Sequence, residues 1–402
     1  MRSCFKTIVA ILLCSMVLFS VTACEENASN NEENTAKALS VRGTHLFPYG
    51  NYIYYEYAGI VFRYNVKTSE FSSACVLPIC SHDYRDNCPM WGILSSSFIE
   101  NNRLYYTNNL DEFTFESYSF LDGSQQVLKT LSKHEAGSTL MQTDGTYIYY
   151  YYKTLKDGGD PENTEDYQWG IFRQPLEGGK EEYLFEENDH GNLLFVSKDR
   201  MIFERSSGEI ISTDIYGENI QLLFSLESVT NIESEHLYGE ELYFLGTDGT
   251  YETDANGQKV YHKLLYRVNI QTGEYIQVLD DYVSTFTIDG DRVYYLPLEL
   301  KTLYSPPNFG KEGNKEACMI YTADFTWYSC NLNGEDVREQ FSQENVIHNG
   351  LGRVIDGNLY AGVCYFDPET HSFSDTYFVE VNMETGETKE ICNINDLIQN
   401  RN

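Results

Sequence analysis

Basic residues are scarce in this 402-residue chain. Lys and Arg together number 28 against 61 Asp and Glu, a formal net charge of −33. Nucleic acids are gripped through Lys/Arg patches on their phosphates, and anionic bilayer surfaces attract basic segments. The composition therefore excludes both as partners of the folded body and reads as a solubilising surface. Familiar catalytic signatures are missing as well. No HExxH, GxSxG, P-loop or GxGxxG occurs, so zinc-protease, nucleophile-elbow, phosphate-cradling and dinucleotide-binding chemistry have no motif behind them. The acidic, glycine-bearing stretches 157–166 and 248–257 lack the ordered ligand spacing of an EF-hand loop. After residue 21 no apolar run is long enough to span a bilayer as a helix. Proline is sparse, at 9 residues.

What is present begins with an address. Arg2 and Lys6 precede an apolar run from Thr7 to Val21, too short for a comfortable transmembrane helix. A basic start, an apolar middle and a small-residue end make an export signal. The end reads Val21-Thr22-Ala23-Cys24, which resembles the lipobox of bacterial lipoproteins. That resemblance implies cleavage before Cys24 and lipidation of its sulfur, and two acyl chains suit stable anchoring where one holds only marginally. Residues 1–23 are thus expected to leave as a signal peptide, taking Cys4 and Cys14 with them. Residues 24–39 are expected to form a lipidated, polar, flexible tether. The expected location is the cell membrane, lipid-anchored on its extracytoplasmic face, with the anchor as the sole membrane contact.

The remainder is rich in aromatics, with 33 Tyr and 22 Phe, residues that favour pleated, half-buried surfaces. A degenerate repeat organises it. A turn is followed by an aromatic strand starting at Tyr52, Leu104, Tyr147, Met201, Leu242, Val293 and Leu359, at intervals of 41 to 66 residues. A second alternating strand follows each, and two of these end in Asn followed by Thr-Gly-Glu, at Asn269 and Asn382. Four short strands with Gly-bearing turns fill this period in a propeller blade. The longer intervals hold polar insertions at 156–166, 248–259 and 302–315, read as loops. The expectation is an all-β chain: one β-propeller over residues 40–396, of seven four-stranded blades, with 397–402 as a tail. The Tyr runs then serve as packing between blades.

The aromatic strand, the strand ending in Asn and the Thr-Gly-Glu turn resemble TolB-like and YWTD-like propellers, and more closely the propeller lipoproteins of Gram-positive bacteria. The resemblance spans roughly residues 40 to 395 and implies a fold and a surface location, but no activity, because propellers host many functions.

One segment has chemical content. Cys75, Cys80, His82 and Cys88 fall within 14 residues. Similar Cys/His segments after a first blade occur in the lipoproteins just named. Three thiolates and an imidazole complete a tetrahedral set for structural zinc. In an exported protein, Cys80 or Cys75 could instead pair with Cys88 as a disulfide. Both readings stay open, and a closed four-ligand site would not imply catalysis. Cys318, Cys330, Cys364 and Cys392 are expected as buried small hydrophobes, with Cys318–Cys330 an alternative hairpin bridge. Trp91, Trp169 and Trp327 could line a sugar-binding face, though packing is the better reading.

No ligand-binding residue can be singled out beyond these. The expected role is a non-enzymatic binding or scaffolding module for an extracellular protein, peptide or glycan. The alternative is a carbohydrate-active enzyme, glycosidase or lyase, working at the channel face.

Overall fold

A computed structural model describes residues 39–298 and 325–399, apart from short stretches at 42–45, 58, 79, 81–87, 91–92, 109–112, 133–134, 136–139, 187–191, 206, 230, 254–258, 349–351 and 368–371. Cys24, His82, Trp91, Cys318 and the insertion 302–315 lie outside the described residues.

Seven antiparallel sheets follow one another along the chain, covering residues 46–73, 93–131, 140–186, 192–224, 231–277, 283–343 and 346–393. The blade strands pair in chain order, the first strand of blade 7 being split into Val346–His348 and Arg353–Ile355, which both pair with the second, so every blade is a meander. First strands of neighbouring blades touch one another in blades 1 to 4 and again in blades 5 to 7. The first strands therefore ring the axis and the fourth strands lie outermost. This is the seven-bladed β-propeller that the repeat predicts, and the aromatic strand of each repeat is the second strand of its blade.

Seven hydrophobic clusters each straddle one boundary between neighbouring blades. Alternation explains how a Tyr run can be buried on both sides. In blade 3, Ile148, Tyr150 and Tyr152 pack toward blade 2 while Tyr149 and Tyr151 pack toward blade 4. In blade 5, Leu242 and Phe244 face blade 4 while Tyr243 and Leu245 face blade 6. Successive strand side chains point to opposite faces, and here both faces are interfaces. Trp327 is buried in the contact between blades 6 and 7, and Trp169 stacks on Tyr151 at 4.7 Å; both are packing residues.

The Asn that ends many third strands has a defined task. Oδ1 of Asn269 accepts from the backbone N–H groups of Gln271 and Thr272, both at 2.9 Å. Asn382 caps its turn in the same way through Glu384 and Thr385. Such Asx turns pin the hairpin between strands three and four. In blade 6 the equivalent turn needs Gly334, whose φ is +86° and whose Cα lies so close to the Val278 carbonyl of blade 5 that a Cβ would collide with it.

Among the described residues no strand is exchanged between the first and last blades. The ring closes by side chains: Tyr55, Phe62 and Tyr64 of blade 1 pack with Tyr360 and Phe378 of blade 7, and the Tyr64 hydroxyl donates to Glu380 at 3.3 Å. Ile394, at the start of the terminal helix Ile394–Gln399 (α1), is buried in the same seam.

Two features depart from the sequence reading. The insertion 248–259, expected as a loop, begins as paired strand: the hairpin of blade 5 runs outward to Thr253 opposite Lys259 after a bulge between Thr247 and Tyr251. Its Tyr251 and Tyr261 rings meet across the hairpin at 5.7 Å. Such cross-strand aromatic pairs stabilise a ribbon, which the acidic composition concealed. Second, a short strand precedes blade 1. Leu39–Val41 (β1) pairs antiparallel with the first strand of blade 5, Val41 opposite His236 and Leu39 opposite Tyr238. That strand is the innermost of its blade, so the segment just before blade 1 lies on the channel side of blade 5.

Candidate metal centre and channel wall

Cys75 and Cys88 sit in the link between blades 1 and 2, which leaves the last strand of blade 1 at Ser73 and enters blade 2 at Ile93. One residue gathers both ends of this link. Val61 donates its N–H to the Met90 carbonyl at 3.2 Å and accepts from the Ala74 N–H at 3.0 Å. Ala74 and Met90, near the two ends of this link, are thereby held together. Ala74, Cys75, Cys88 and Met90 are buried in the cluster that joins blades 1 and 2, alongside Tyr54, Leu104 and Tyr118. Gly123, with φ +74°, leaves room for Leu77 of the loop, which a Cβ there would strike.

The three sulfurs of Cys75, Cys80 and Cys88 lie within 4.8 Å of one another. Cys75 and Cys88 are buried and Cys80 is half-buried. Polar groups converge on them. The Tyr118 hydroxyl accepts from the Val76 N–H at 2.8 Å and donates to Cys75 Sγ at 3.6 Å. The Leu77 N–H is directed at Cys75 and the Met90 N–H at Cys88. The hydrogen bond from Cys88, aided by the Leu77 N–H and the Tyr118 hydroxyl, holds the Cys75 thiol down to about 5 against the opposing effect of burial. Cys88 moves the other way, raised by that same hydrogen bond and by burial. The two thiols therefore titrate as a coupled pair. The structure thus brings together the three cysteines that the sequence singles out, and they could hold a metal.

Of the other described cysteines, Cys330 is buried as expected, whereas Cys364 and Cys392 are only half-buried. Cys330 is fully buried between blades 5 and 6, and burial raises it to about 11. Cys392 rises to about 12 for the same reason. Cys364 lies beside the Thr376 hydroxyl at 3.3 Å.

A second buried polar group lines the channel and escaped the sequence reading. His236, on the first strand of blade 5, is 3% exposed. Its ring stacks at 4.4 Å from Phe286 of blade 6, and its Nδ1 has no hydrogen-bond partner among the described residues. Burial, together with the charge of Arg353, lowers its pKa to about 3. Arg353, on the first strand of blade 7, is itself buried and donates to the Leu46 carbonyl of blade 1 at 3.4 Å. Burial lowers its pKa to about 10, partly opposed by Asp289 of blade 6. Asp289 also accepts from the Gly357 N–H at 2.8 Å. A bulge at Ser234, with φ +59°, brings Glu235 and His236 both into buried positions. An isolated His and an isolated Arg 117 positions apart carry no motif; only the ring closure brings them near each other.

No family model matches the chain, and no curated protein sequence matches it. Its likeness is to solved structures. The acylaminoacyl peptidase of Pyrococcus horikoshii aligns with a TM-score of 0.54 at 12% identity, over 91% of this chain and 54% of that one. A puromycin-hydrolyzing peptidase of Mycobacterium tuberculosis aligns with a TM-score of 0.55 at 10% identity, over 88% of this chain and 53% of that one. This chain therefore spans about half the length of the peptidases it matches. The β-propeller domain of the Trilobed protease from Pyrococcus furiosus, described as having an open velcro topology, aligns over 90% of this chain and 97% of that one, with a TM-score of 0.51 at 12% identity. At such identities the likeness is one of fold: this chain is a seven-bladed β-propeller with structural neighbours among the propellers of peptidases.

Proposed function

We propose that the chain is a lipid-anchored propeller of the TolB-like lipoprotein kind, held on the extracytoplasmic face of a cell membrane through Cys24. In this reading it acts as a non-enzymatic binding or scaffolding module for a protein, peptide or glycan outside the cell. Among the described residues no helix is long and apolar enough to cross a membrane, so attachment rests on the lipid. The observation that carries the binding role is the pairing of Leu39–Val41 with the innermost strand of blade 5. The chain's own approach to the ring occupies one wall of the channel, where a carbohydrate-active enzyme would need two facing carboxylates and an open path. The buried ionisable groups on that wall include Glu235, His236 and Arg353, two of them basic where the enzyme would need a pair of carboxylates. Recognition then falls to the loop-bearing faces.

The test has two readouts. In a Gram-positive host fed an alkyne-tagged fatty acid, the wild-type chain should take the tag and stay with membranes, and Cys24→Ala should do neither. Incubated with cell-wall glycans and peptides, the protein should retain a ligand without releasing product. Turnover abolished by replacing one pair of carboxylates would overthrow the binding role.

A further inference from the structure

We propose that Cys75, Cys80 and Cys88 bind one zinc ion as thiolates, forming a structural metal centre that locks blade 1 to blade 2.

Four observations support it. The sulfurs form a mutual triangle within 4.8 Å, and a tetrahedral ion with Zn–S bonds of about 2.3 Å sets its sulfurs on the order of 3.8 Å apart. Closing from one spacing to the other takes small side-chain rotations about a common centre. A disulfide would use only two of these thiols and leave the third facing it in the same pocket. The donors converging on the site, the Leu77 and Met90 N–H groups and the Tyr118 hydroxyl, are the kind that stabilise metal-bound thiolate sulfur. Finally, the bonds at Val61 and the packing of Leu77 against Gly123 of blade 2 fix the described ends of this segment beside the sulfurs.

No electron is transferred on binding. Each Zn–S bond forms as the thiol proton, where one is present, leaves to solvent, and the metal's two positive charges are met by anionic sulfur. A tetrahedral ion held by three sulfurs would keep a fourth position for a further ligand.

The experiment uses the full chain, purified without chelator from a bacterial producer. Native mass spectrometry and elemental analysis should find one zinc per chain, and mild mercurial treatment should release it. Replacement by Co²⁺ should give the ligand-field bands of a tetrahedral, thiolate-rich site. Cys80→Ser, at the most exposed of the three positions, should retain the all-β circular dichroism spectrum of the wild type. It should lower zinc affinity at least tenfold and weaken the thiolate-to-cobalt charge-transfer band. A folded wild-type chain without metal and with an oxidised cysteine pair in this loop would overturn the proposal. So would zinc that binds unchanged in folded Cys80→Ser, or stoichiometric copper in place of zinc.

Discussion

Two buried polar clusters lie on different parts of this ring, and they are opposites. At the junction of blades 1 and 2, three sulfurs are surrounded by hydrogen-bond donors. Around the channel of blades 5 to 7, His236 and Arg353 are buried, and burial pushes both toward their neutral forms. The first cluster gathers donors around sulfur; the second sets buried basic groups near a few acids. A buried site with surplus donors aimed at sulfur is prepared for a cation. A buried site with surplus basic groups depends on the few acids near it, here Asp289, and on being sealed from water. The first is built to take something in, while the second is held by the closure of the fold.

The largest difference should come from removing the metal. A ligand that binds only the folded chain adds about 4 kcal/mol when present at a thousand times its Kd. Strong chelation should lower the denaturation midpoint of the wild type by a corresponding amount. Cys75→Ser should show the lowered midpoint from the outset and no further response to chelator. His82→Ala is expected to keep zinc but bind it more weakly, since the sequence offers His82 as a fourth ligand. Equal midpoints with and without chelator would erase the contrast between the clusters.

The channel cluster should respond instead to loss of an acid. Asp289→Asn keeps the acceptor for the Gly357 N–H but removes the charge facing Arg353. Breaking a fully buried ion pair costs about 3 to 5 kcal/mol. Asp289 is partly exposed, so the expected loss is about 2 kcal/mol by the same argument. Adding Arg353→Met should recover most of it, because the stranded charge is then gone. A double variant no more stable than Asp289→Asn alone would show that Arg353 does not depend on Asp289.

The same contrast explains what could be read from the chain beforehand. Blade number, the second strands and the Asx turns at Asn269 and Asn382 were legible because each is a local pattern repeated seven times or nearly so. The three cysteines were legible because they crowd into one short segment. The channel cluster was not, because His236 and Arg353 become neighbours only when blade 7 closes on blade 1. The strand Leu39–Val41 was invisible for a similar reason: three residues have no periodicity, and their partner is nearly two hundred positions away. The outward hairpin of blade 5 was hidden by its acidic, glycine-bearing sequence, although Tyr251 and Tyr261 at matched positions were its available signal.

Removing the strand at the channel should be a smaller change. A chain beginning at residue 42 loses the backbone pairing to blade 5, at roughly 1 kcal/mol per hydrogen bond. The expected cost is about 1 to 2 kcal/mol by the same reckoning. The ring should persist, and the His236 imidazole, followed by NMR, should titrate closer to its ordinary value of 6.5. Unchanged titration in the trimmed chain would mean that neighbouring blades, and not the strand, keep the ring dry.

The finest separation of the two clusters comes from pH. His236 has a folded pKa near 3 against an ordinary 6.5, so the unfolded chain takes up its proton first as pH falls. Stability from this residue is therefore fully present above about pH 6.5 and is lost as pH drops from there toward 3. Between pH 7 and pH 5.5 the loss is about 1 kcal/mol. Other acids also titrate over part of this range, so the measurement is a difference. His236→Phe preserves the stack on Phe286 and removes an imidazole nitrogen that has no partner among the described residues. Urea unfolding of both proteins at pH 7 and pH 5.5 should show the wild type losing about 1 kcal/mol more than the variant. Parallel losses would mean that the imidazole accepts its proton inside the folded ring, and the channel wall would then be open to water and to charged ligands.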